Sequence, residues 1–344
     1  MKKFGVFLLP VLLAIFLIAA DKPKIPPLPV AVSGNAVASL RGGMELYSLM
    51  GIGNKKTWND IKSDIYLLRL SSSKWTEERS VPGVGGRLGA AAIGIKRRVY
   101  VFGGYLVDGQ GMEITVPDVN AYLPDEHRWY RGEDLPVGVD RAVIGLAHER
   151  FVYLVGGRSR TGPVNNVQLY DSLKNTWSDA TPFPGTPVFG LAGGLVDDAI
   201  VIVDGAMKSP DGGAPYVASD ACWIGRIDKK DPDKIAWSKL PPHPGPGRFG
   251  IVAGPFEHRI IFSGGTTQPH NFKGLGFDGK PSELSTVTFS YDVRANRWDT
   301  LTDESFPARS DAGAILATPA GPVIIGGMLE NQTVTDRVDL VEKK

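Results

Sequence analysis

Four arginines occupy related places in the sequence and are its first candidates for binding chemistry. Each precedes a short segment rich in small residues, and they are Arg87, Arg141, Arg248 and Arg309. A guanidinium group binds a carboxylate or phosphate through two parallel hydrogen bonds, so arginines that converge on one opening favour an anionic ligand. The sequence leaves a structural alternative open, in which each arginine donates to backbone carbonyls of a neighbouring repeat.

The longest segment without strand signals, residues 266–283, is the second candidate. It contains His270 and Asn271 together with aromatic and charged residues, a set that suits stacking on a sugar ring and hydrogen bonding to its hydroxyls. Its eighteen residues exceed what a short connection needs, and such insertions are associated with function. Shorter insertions at residues 105–117 and 207–216 are interpreted as surface loops.

Several other chemistries have little support in the sequence. None of the five histidines adjoins a tyrosine, which argues against a copper site built from both residue types. No phosphate-binding loop and no Ser-His-Asp motif stands out. The single cysteine, Cys222, excludes an intrachain disulfide, and between Ala221 and Trp223 it is expected to be a buried apolar residue. We therefore expect no metal and no cofactor.

A recurring Gly-Gly pair organises the chain. Five apolar segments end in this pair or a close variant, and their second glycines are Gly104, Gly157, Gly205, Gly265 and Gly327. The steps between them are 53, 48, 60 and 62 residues, and a weaker copy lies at residues 49–53. Tryptophans at positions 75, 129, 177, 237 and 298 advance with the pairs, and a tyrosine stands seven residues before three of them. Two markers that advance together indicate an internal repeat.

Each repeat is predicted to form four short strands. A small-residue strand is followed by a β-branched strand that runs into Gly-Gly, then by a strand ending near the tyrosine and one carrying the tryptophan. Small residues suit an innermost strand, where sheets converge on an axis, while tyrosine and tryptophan fill the wider outer space between sheets. The sequence therefore predicts an all-β, six-bladed β-propeller.

The sixth repeat lacks a strand that carries a tryptophan. Residues 24–30, which precede the first inner strand, have no other predicted role. Because an unpaired strand edge would leave the ring of blades open, we expect an N-terminal strand to close the last blade.

The repeat pattern resembles the kelch repeat, whose period is about 50 residues. The resemblance covers nearly the whole chain after residue 20. In a four-stranded antiparallel blade, the loops after Gly-Gly and the residues entering the inner strand share one face. The four arginines are therefore expected to surround the mouth of the central channel on that face. In kelch propellers that bind acidic peptides, arginines at matching positions serve the ligand.

The first twenty residues resemble a secretory signal. Lys2 and Lys3 precede an apolar run at residues 4–20 that ends in small residues. We predict a signal peptide or uncleaved anchor at 1–20, a propeller at 21–344, and a periplasmic or secreted location. Removing the two lysines leaves 36 of 38 basic residues against 37 acidic ones, a net charge of −1. This charge gives no reason to expect nucleic acid as a partner, and membrane contact is expected only through an uncleaved N-terminus.

The export signal, the repeats and the long loop of blade five together resemble the exported bacterial N-acetylneuraminate epimerases, which interconvert anomers of sialic acid. The resemblance implies a general acid or base near the sugar ring oxygen and an arginine for the carboxylate. In that family a glutamate follows an Asn-Gly pair in blade four. Here the segment reads Val203-Asp204-Gly205-Ala206-Met207, so Asp204 is the acidic residue nearest that place.

Two functions remain open on these grounds. The favoured one is a binding or scaffolding module for an anionic small molecule, a glycan or an acidic peptide at the channel mouth. Its candidate residues are Arg87, Arg141, Arg248, Arg309, Asp204, His270 and Asn271. The alternative is a carbohydrate enzyme of the epimerase or mutarotase type.

Overall fold

Six antiparallel sheets of three or four strands surround a central channel in the computed structural model, which describes residues 25–83, 85–302 and 306–341. In each sheet the main strands follow the chain order from the channel outward. The predicted six-bladed, all-β propeller is confirmed. Within the described ranges, no helix is long and apolar enough to cross a membrane.

Blades one to three contain four main strands each. Blade one comprises β1 Ala36–Leu40, β2 Glu45–Ile52, β3 Ile61–Arg69 and β4 Thr76–Glu78. Blade two comprises β5 Ala91–Ile95, β6 Arg98–Phe102, a small hairpin of β7 Tyr105–Val107 and β8 Glu113–Thr115, then β9 Val119–Leu123 and β10 Arg128–Arg131. Blade three comprises β11 Val143–Ala147, β12 Phe151–Val155, the hairpin β13 Arg158–Ser159 and β14 Gly162–Pro163, then β15 Val167–Asp171 and β16 Thr176–Ala180.

Blades four and five also have four main strands, and blade six has three within the described residues. Blade four comprises β17 Ala192–Val196, β18 Ala199–Val203, the hairpin β19 Ala206–Lys208 and β20 Tyr216–Ala218, then β21 Cys222–Ile227 and β22 Ile235–Lys239. Blade five comprises β23 Val252–Phe256, β24 Arg259–Ser263, β25 Thr288–Asp292 and β26 Arg297–Thr300. Blade six comprises β27 Ile315–Thr318, β28 Gly321–Ile325, the hairpin β29 Met328–Leu329 and β30 Thr333–Val334, then β31 Val338–Leu340. Short 3-10 turns lie at Arg41–Gly43, Trp58–Asp60, Pro124–Glu126 and Glu330–Gln332.

The repeated tyrosine and tryptophan form cross-strand pairs in the outer half of the blades. Tyr170 lies opposite Trp177 in the register of β15 and β16, and their ring centroids are 4.9 Å apart. The indole N–H of Trp177 donates to the backbone carbonyl of Glu133, just beyond the outer strand of blade two, at 2.9 Å. Each such tryptophan therefore ties its blade to the preceding one while it fills the space between them.

The N-terminal segment joins blade six at the predicted place. The Trp75 indole donates to the carbonyl of Pro26 at 2.9 Å, as Trp177 donates to the preceding blade. The Leu28 N–H donates to the carbonyl of Asp336, two residues before β31, at 2.8 Å. Residues 25–30 thus take the place of an outer strand of blade six. They close the blade through hydrogen bonds and packing, and they do not form a strand themselves. Lys24 and the predicted signal at 1–20 lie outside the described residues.

Replacing Leu28 tests this closure. Leu28 is 3% exposed and belongs to an apolar cluster with Trp75 and Val323, which joins the N-terminal segment to blades one and six. We expect Leu28→Ala to cost about 2–4 kcal/mol and to lower the melting temperature by about 5 °C or more. Pro29→Ala, at an exposed neighbour, is the matched control. A thermal scan in which both variants melt together would contradict the closing role.

Small residues let the inner strands approach one another around the channel. A Cβ atom built on Gly94 would lie 1.9 Å from the carbonyl oxygen of Ser39 in blade one, and one on Gly254 would lie 2.0 Å from that of Ile315 in blade six. The channel between the inner strands encloses a cavity of about 250 Å³. We call the face that carries the Gly-Gly turns the upper face.

Candidate functional site

Three of the four predicted arginines are buried inside their own blades. Arg87, Arg248 and Arg309 are 2%, 0% and 0% exposed. Arg87 donates to the carbonyl of Asp118 at 3.1 Å, Arg248 to that of Gly264 at 2.7 Å, and Arg309 to that of Gly326 at 2.9 Å. Burial lowers the pKa of Arg87 and Arg309 to about 10 and also lowers that of Arg248.

The prediction that these three arginines surround the channel mouth is therefore wrong. Their guanidinium groups donate to carbonyls next to the second and third strands, where the chain leaves the ladder at the Gly-Gly turns. This is the structural alternative that the sequence left open. The carbonyls belong to the same blade rather than to a neighbouring one.

Arg141 stands two residues later in the repeat than the other three arginines. Gly89 follows Arg87 by two residues and has a φ of 60°, and Gly250 follows Arg248 in the same way with a φ of 68°. Arg141 itself has a φ of 50°, so it is the counterpart of these glycines. Its side chain accordingly leaves the backbone in a different direction from the buried arginines.

One residue with left-handed backbone from each blade contributes to a ring at the upper end of the channel. The members are Gly34, Gly89, Arg141, Gly190, Gly250 and Asp311. The N–H groups of all but Asp311 donate to the carbonyl of the preceding member at 2.6 to 3.3 Å. Since the other four are glycines, Arg141 and Asp311 supply the side chains of this ring.

Arg141 has hydrogen-bonding capacity that the described residues do not use. Its side chain is 11% exposed and lies between the rings of Tyr105 and Phe249. Nη2 donates to the Tyr105 hydroxyl at 3.2 Å, whereas carboxylate oxygens of Asp140 and Asp311 lie 3.8 and 3.9 Å from Nη1 and Nε. Those two distances are too long for hydrogen bonds. Burial opposes the charge, but Tyr105, Asp311 and Asp140 hold the pKa of Arg141 above its ordinary value.

A second arginine, Arg158, lies in the same region and was not predicted. It pairs with Glu113, and its Nε donates to Asp140 Oδ2 at 3.1 Å. Burial raises the pKa of Asp140, and Arg158 and Arg141 oppose this rise. Asp140 Oδ1 and Arg158 Nη2 are buried without a hydrogen-bond partner among the described residues. Buried polar atoms of this kind reduce the stability of the fold unless water or a ligand forms hydrogen bonds with them.

The loop at residues 266–283 brings His270 to the ring. His270 Nδ1 lies 3.1 Å from the carbonyl oxygen of Asn271 and 3.6 Å from Asp311 Oδ2. His270 Nε2 is buried and has no partner in the described part of the chain. The Asn271 side chain instead accepts the N–H of Lys273 at 2.8 Å and shapes a turn within the loop.

These residues form one polar group, which we call the mouth cluster. Its members are Glu113, Asp140, Arg141, Arg158, His270 and Asp311. Two guanidinium groups face three carboxylates, so the cluster is not the cationic funnel that the sequence predicts. The chemistry it offers is mixed hydrogen bonding, because Nε and Nη1 of Arg141 and Nε2 of His270 lack close partners among the described residues.

Asp204 lies in a separate buried group between blades four and five. Asp204 Oδ1 is 2.7 Å from His243 Nε2, and Oδ2 accepts the backbone N–H of Arg248 at 2.9 Å. Ligand-type atoms of Asp204, Cys222 and His243 lie within 4.8 Å of one another, a donor set that Zn²⁺ accepts. Burial raises the pKa of Cys222 to about 12 and also raises that of Asp204. The hydrogen bonds fit a structural role, and the structure does not join Asp204 to the mouth cluster.

Comparisons with known proteins agree with this fold. The family model of the kelch motif matches residues 152–184, in blade three. N-acetylneuraminate epimerase 1 of Escherichia coli O6:H1 is 25% identical, over 90% of this chain and 88% of its own length. N-acetylneuraminate epimerase of Haemophilus influenzae strain 86-028NP is 24% identical, over 76% of each chain. The solved structure of YjhT superposes with a TM-score of 0.74 at 21% identity and covers 93% of this chain and 97% of its own.

The fold and the repeated strand pattern define the chain as a kelch-type β-propeller. Within that class it bears a distant resemblance to the N-acetylneuraminate epimerases, in line with the prediction from sequence. The residue that follows Asp204-Gly205 in blade four is Ala206, which is buried and pairs with Phe189.

Proposed function

We propose that this propeller binds a carbohydrate that carries a carboxylate, with the mouth cluster as its site. The observation that supports this most is the Arg141 guanidinium, whose Nε and Nη1 lack close acceptors among the described residues. Each of these two N–H groups could donate one charge-assisted hydrogen bond to an oxygen of a ligand carboxylate. Arg141 therefore offers a ligand carboxylate charged donors that no described carboxylate of the protein reaches.

The remaining polar atoms of the cluster favour a sugar over a purely anionic ligand. Asp140 Oδ1 is an acceptor and Arg158 Nη2 is a donor, and both are buried without partners. A hydroxyl group donates and accepts at once, so neighbouring hydroxyls could satisfy both atoms. The names of the relatives point to the same chemistry, because N-acetylneuraminate is a sugar acid.

Isothermal titration calorimetry with a panel of compounds tests this proposal. N-acetylneuraminate and glucuronate are the acidic sugars, glucose is the neutral control, and an aspartate-rich peptide represents an acidic protein partner. We expect heat of binding from at least one sugar acid and much weaker binding of glucose. Binding of the peptide alone would favour a scaffolding module, and no binding by either sugar acid would contradict the proposal.

A second candidate function is interconversion of sugar anomers, which the names of the relatives favour. Such a reaction needs a group that moves a proton at the ring oxygen or at the anomeric hydroxyl. With Ala206 in place of the glutamate, His270 and Asp311 are the groups of the mouth cluster that could serve. Exchange between anomers of N-acetylneuraminate, followed by proton NMR, would accelerate with wild type and fall to the uncatalysed rate with His270→Gln. Equal rates with and without protein would leave binding as the function.

Export from the cytoplasm is part of the same proposal. The charged start and the apolar run at residues 4–20 support it. Expression in a bacterial host should give protein in the periplasm or medium, and mass spectrometry should find its N-terminus near Asp21. Recovery of intact Met1 in the cytoplasmic fraction would contradict export, and recovery in the membrane fraction would indicate an uncleaved anchor.

A further inference from the structure

The blade-five loop, residues 266–283, crosses the upper mouth of the channel. At its base, Thr266 forms a bridge with Leu284 and stays fixed to blade five. Further along, the Phe272 ring packs in a cluster with Ile52 of blade one and with Leu88 and Tyr105 of blade two. The loop therefore reaches from blade five to blades one and two, over the ring that holds Arg141.

The loop is folded mainly on itself. The N–H of Asn271 donates to the carbonyl of Leu275 at 2.9 Å, and that of Gly276 donates to Lys280 at 2.8 Å. Because these bonds lie within the loop, a change in its position need not break them. The loop contacts the rest of the propeller through the buried Phe272 ring and through His270, which lies against Asp311 and Phe249. Phe277 also contacts Tyr216 of blade four, and Gly274 lies beside Gln332 of blade six.

Three buried atoms of the mouth cluster, one of them on the loop, lack hydrogen-bond partners among the described residues. The His270 side chain is 1% exposed, and that of Asp140 is fully buried. His270 Nε2, Asp140 Oδ1 and Arg158 Nη2 all lack partners within the described chain. Buried polar atoms without partners raise the free energy of the folded protein. An opening that lets water or a ligand bond to these atoms would lower it.

We propose that residues 266–283 form a lid over the mouth cluster, anchored by Phe272, which must release for a ligand to reach Arg141. The ligand is the sugar acid of the proposed function, on which this part of the inference rests. Opening of the lid itself does not depend on that ligand. The lid also carries His270, so closure would bring His270 Nε2 against whatever is bound.

Chemical modification of histidine measures lid opening without a ligand. Diethyl pyrocarbonate reacts with accessible imidazoles, and mass spectrometry separates the five histidines. His270 should react several-fold faster in Phe272→Ala than in wild type. The control is Lys280→Ala, at an exposed residue of the same loop. Modification of His127, which is 70% exposed, shows that the reagent is active. Modification of the buried His243 would show that the protein is unfolding globally.

The lid is contradicted if His270 reacts equally fast in the Phe272 and Lys280 variants. It is also contradicted if His243 gains reactivity together with His270 in Phe272→Ala, because the whole blade would then be unfolding. Selective gain at His270 supports the lid.

A reversible disulfide tests whether the lid controls access to the site. A Cβ atom built on Gly274 would lie 3.0 Å from Cβ of Gln332, so a small shift allows a cross-link in Gly274→Cys/Gln332→Cys. Oxidation should slow modification of His270 and abolish binding of N-acetylneuraminate, and reduction should restore both. Gly274→Ala/Gln332→Ala is the control for the strained φ of 78° at Gly274.

The outcomes separate the two proposals. Unchanged reactivity of His270 after cross-linking would overturn the lid. Reactivity that follows the redox state in a protein that never binds N-acetylneuraminate would support the lid and count against the proposed function. Binding that persists in the oxidised form would show that the ligand reaches its site by another route, and would also overturn the lid.

Discussion

Arg141→Gly is expected to weaken binding of N-acetylneuraminate about 10- to 150-fold, which is the loss of a charged hydrogen bond worth about 1.5–3 kcal/mol. Glycine suits the left-handed backbone at this place, since Gly34, Gly89, Gly190 and Gly250 hold the same position in other blades. The variant should therefore fold normally. Calorimetric titration of wild type and variant gives the ratio of dissociation constants.

Arg160→Ala is the matched control for this experiment. Arg160 is exposed at the turn of the hairpin that carries Arg158, and its removal takes the same charge from the upper face. Its binding should stay within about twofold of wild type, since exposed charges contribute little. If both variants weaken binding equally, general attraction of the anion explains the affinity and Arg141 has no specific role.

Arg248→Ala should have the largest effect on stability, about 3 kcal/mol or more. Its Nη1 donates to the carbonyl of Gly264 at 2.7 Å and to the Ser285 hydroxyl at 2.9 Å, and its guanidinium lies 5.2 Å from the centroid of Phe289. Truncation leaves a buried carbonyl without a donor and opens a cavity. The melting temperature, measured by circular dichroism, should fall by about 5–10 °C.

Arg309→Ala should behave in the same way, because Arg309 is equally buried and donates to Gly326. Arg160→Ala should melt close to wild type. If the folded Arg248 and Arg309 variants keep their melting temperatures and instead lose ligand, these residues bind ligand and the structural role is wrong.

The sequence predicts the fold well because its markers are local and repeated. Trp129, Trp177 and Trp298 each follow a tyrosine by seven residues, and the register of strands three and four places the two rings opposite each other. The pattern recurs because the same cross-strand pair of aromatic rings packs in each of these blades. Ring closure was also predictable, because the sixth repeat lacks a tryptophan strand and residues 24–30, which have no other predicted role, occupy the preceding place in the cycle of blades.

The site was less predictable, because two residues of register decide where an arginine points. Arg87, Arg248 and Arg309 precede the left-handed position of their blades by two residues, whereas Arg141 occupies that position. The segment Asp140-Arg141-Ala142 aligns with Leu88-Gly89-Ala90, and this alignment shows that Arg141 takes the place of a glycine. The register is hard to see in the sequence, because all four arginines are followed by small residues.

Glu113 and Arg158 were missed for a different reason. Each lies in a short upper hairpin, β8 or β13, at a place where spacing gives no sign that the two side chains will pair across blades two and three. Pairing between blades depends on the rotation from one sheet to the next, which the linear pattern does not contain. The insertion at residues 105–117, interpreted as a surface loop, contributes Glu113 to the mouth cluster.

A crystal structure of the protein grown with saturating N-acetylneuraminate tests the central proposal most directly. We predict that the ligand carboxylate lies about 3 Å from Nε or Nη1 of Arg141, with sugar hydroxyls near Asp140 Oδ1 and Arg158 Nη2. The lid residue His270 should contact the ligand through Nε2. A sugar bound elsewhere on the propeller, with Arg141 contacted only by solvent, would contradict the account.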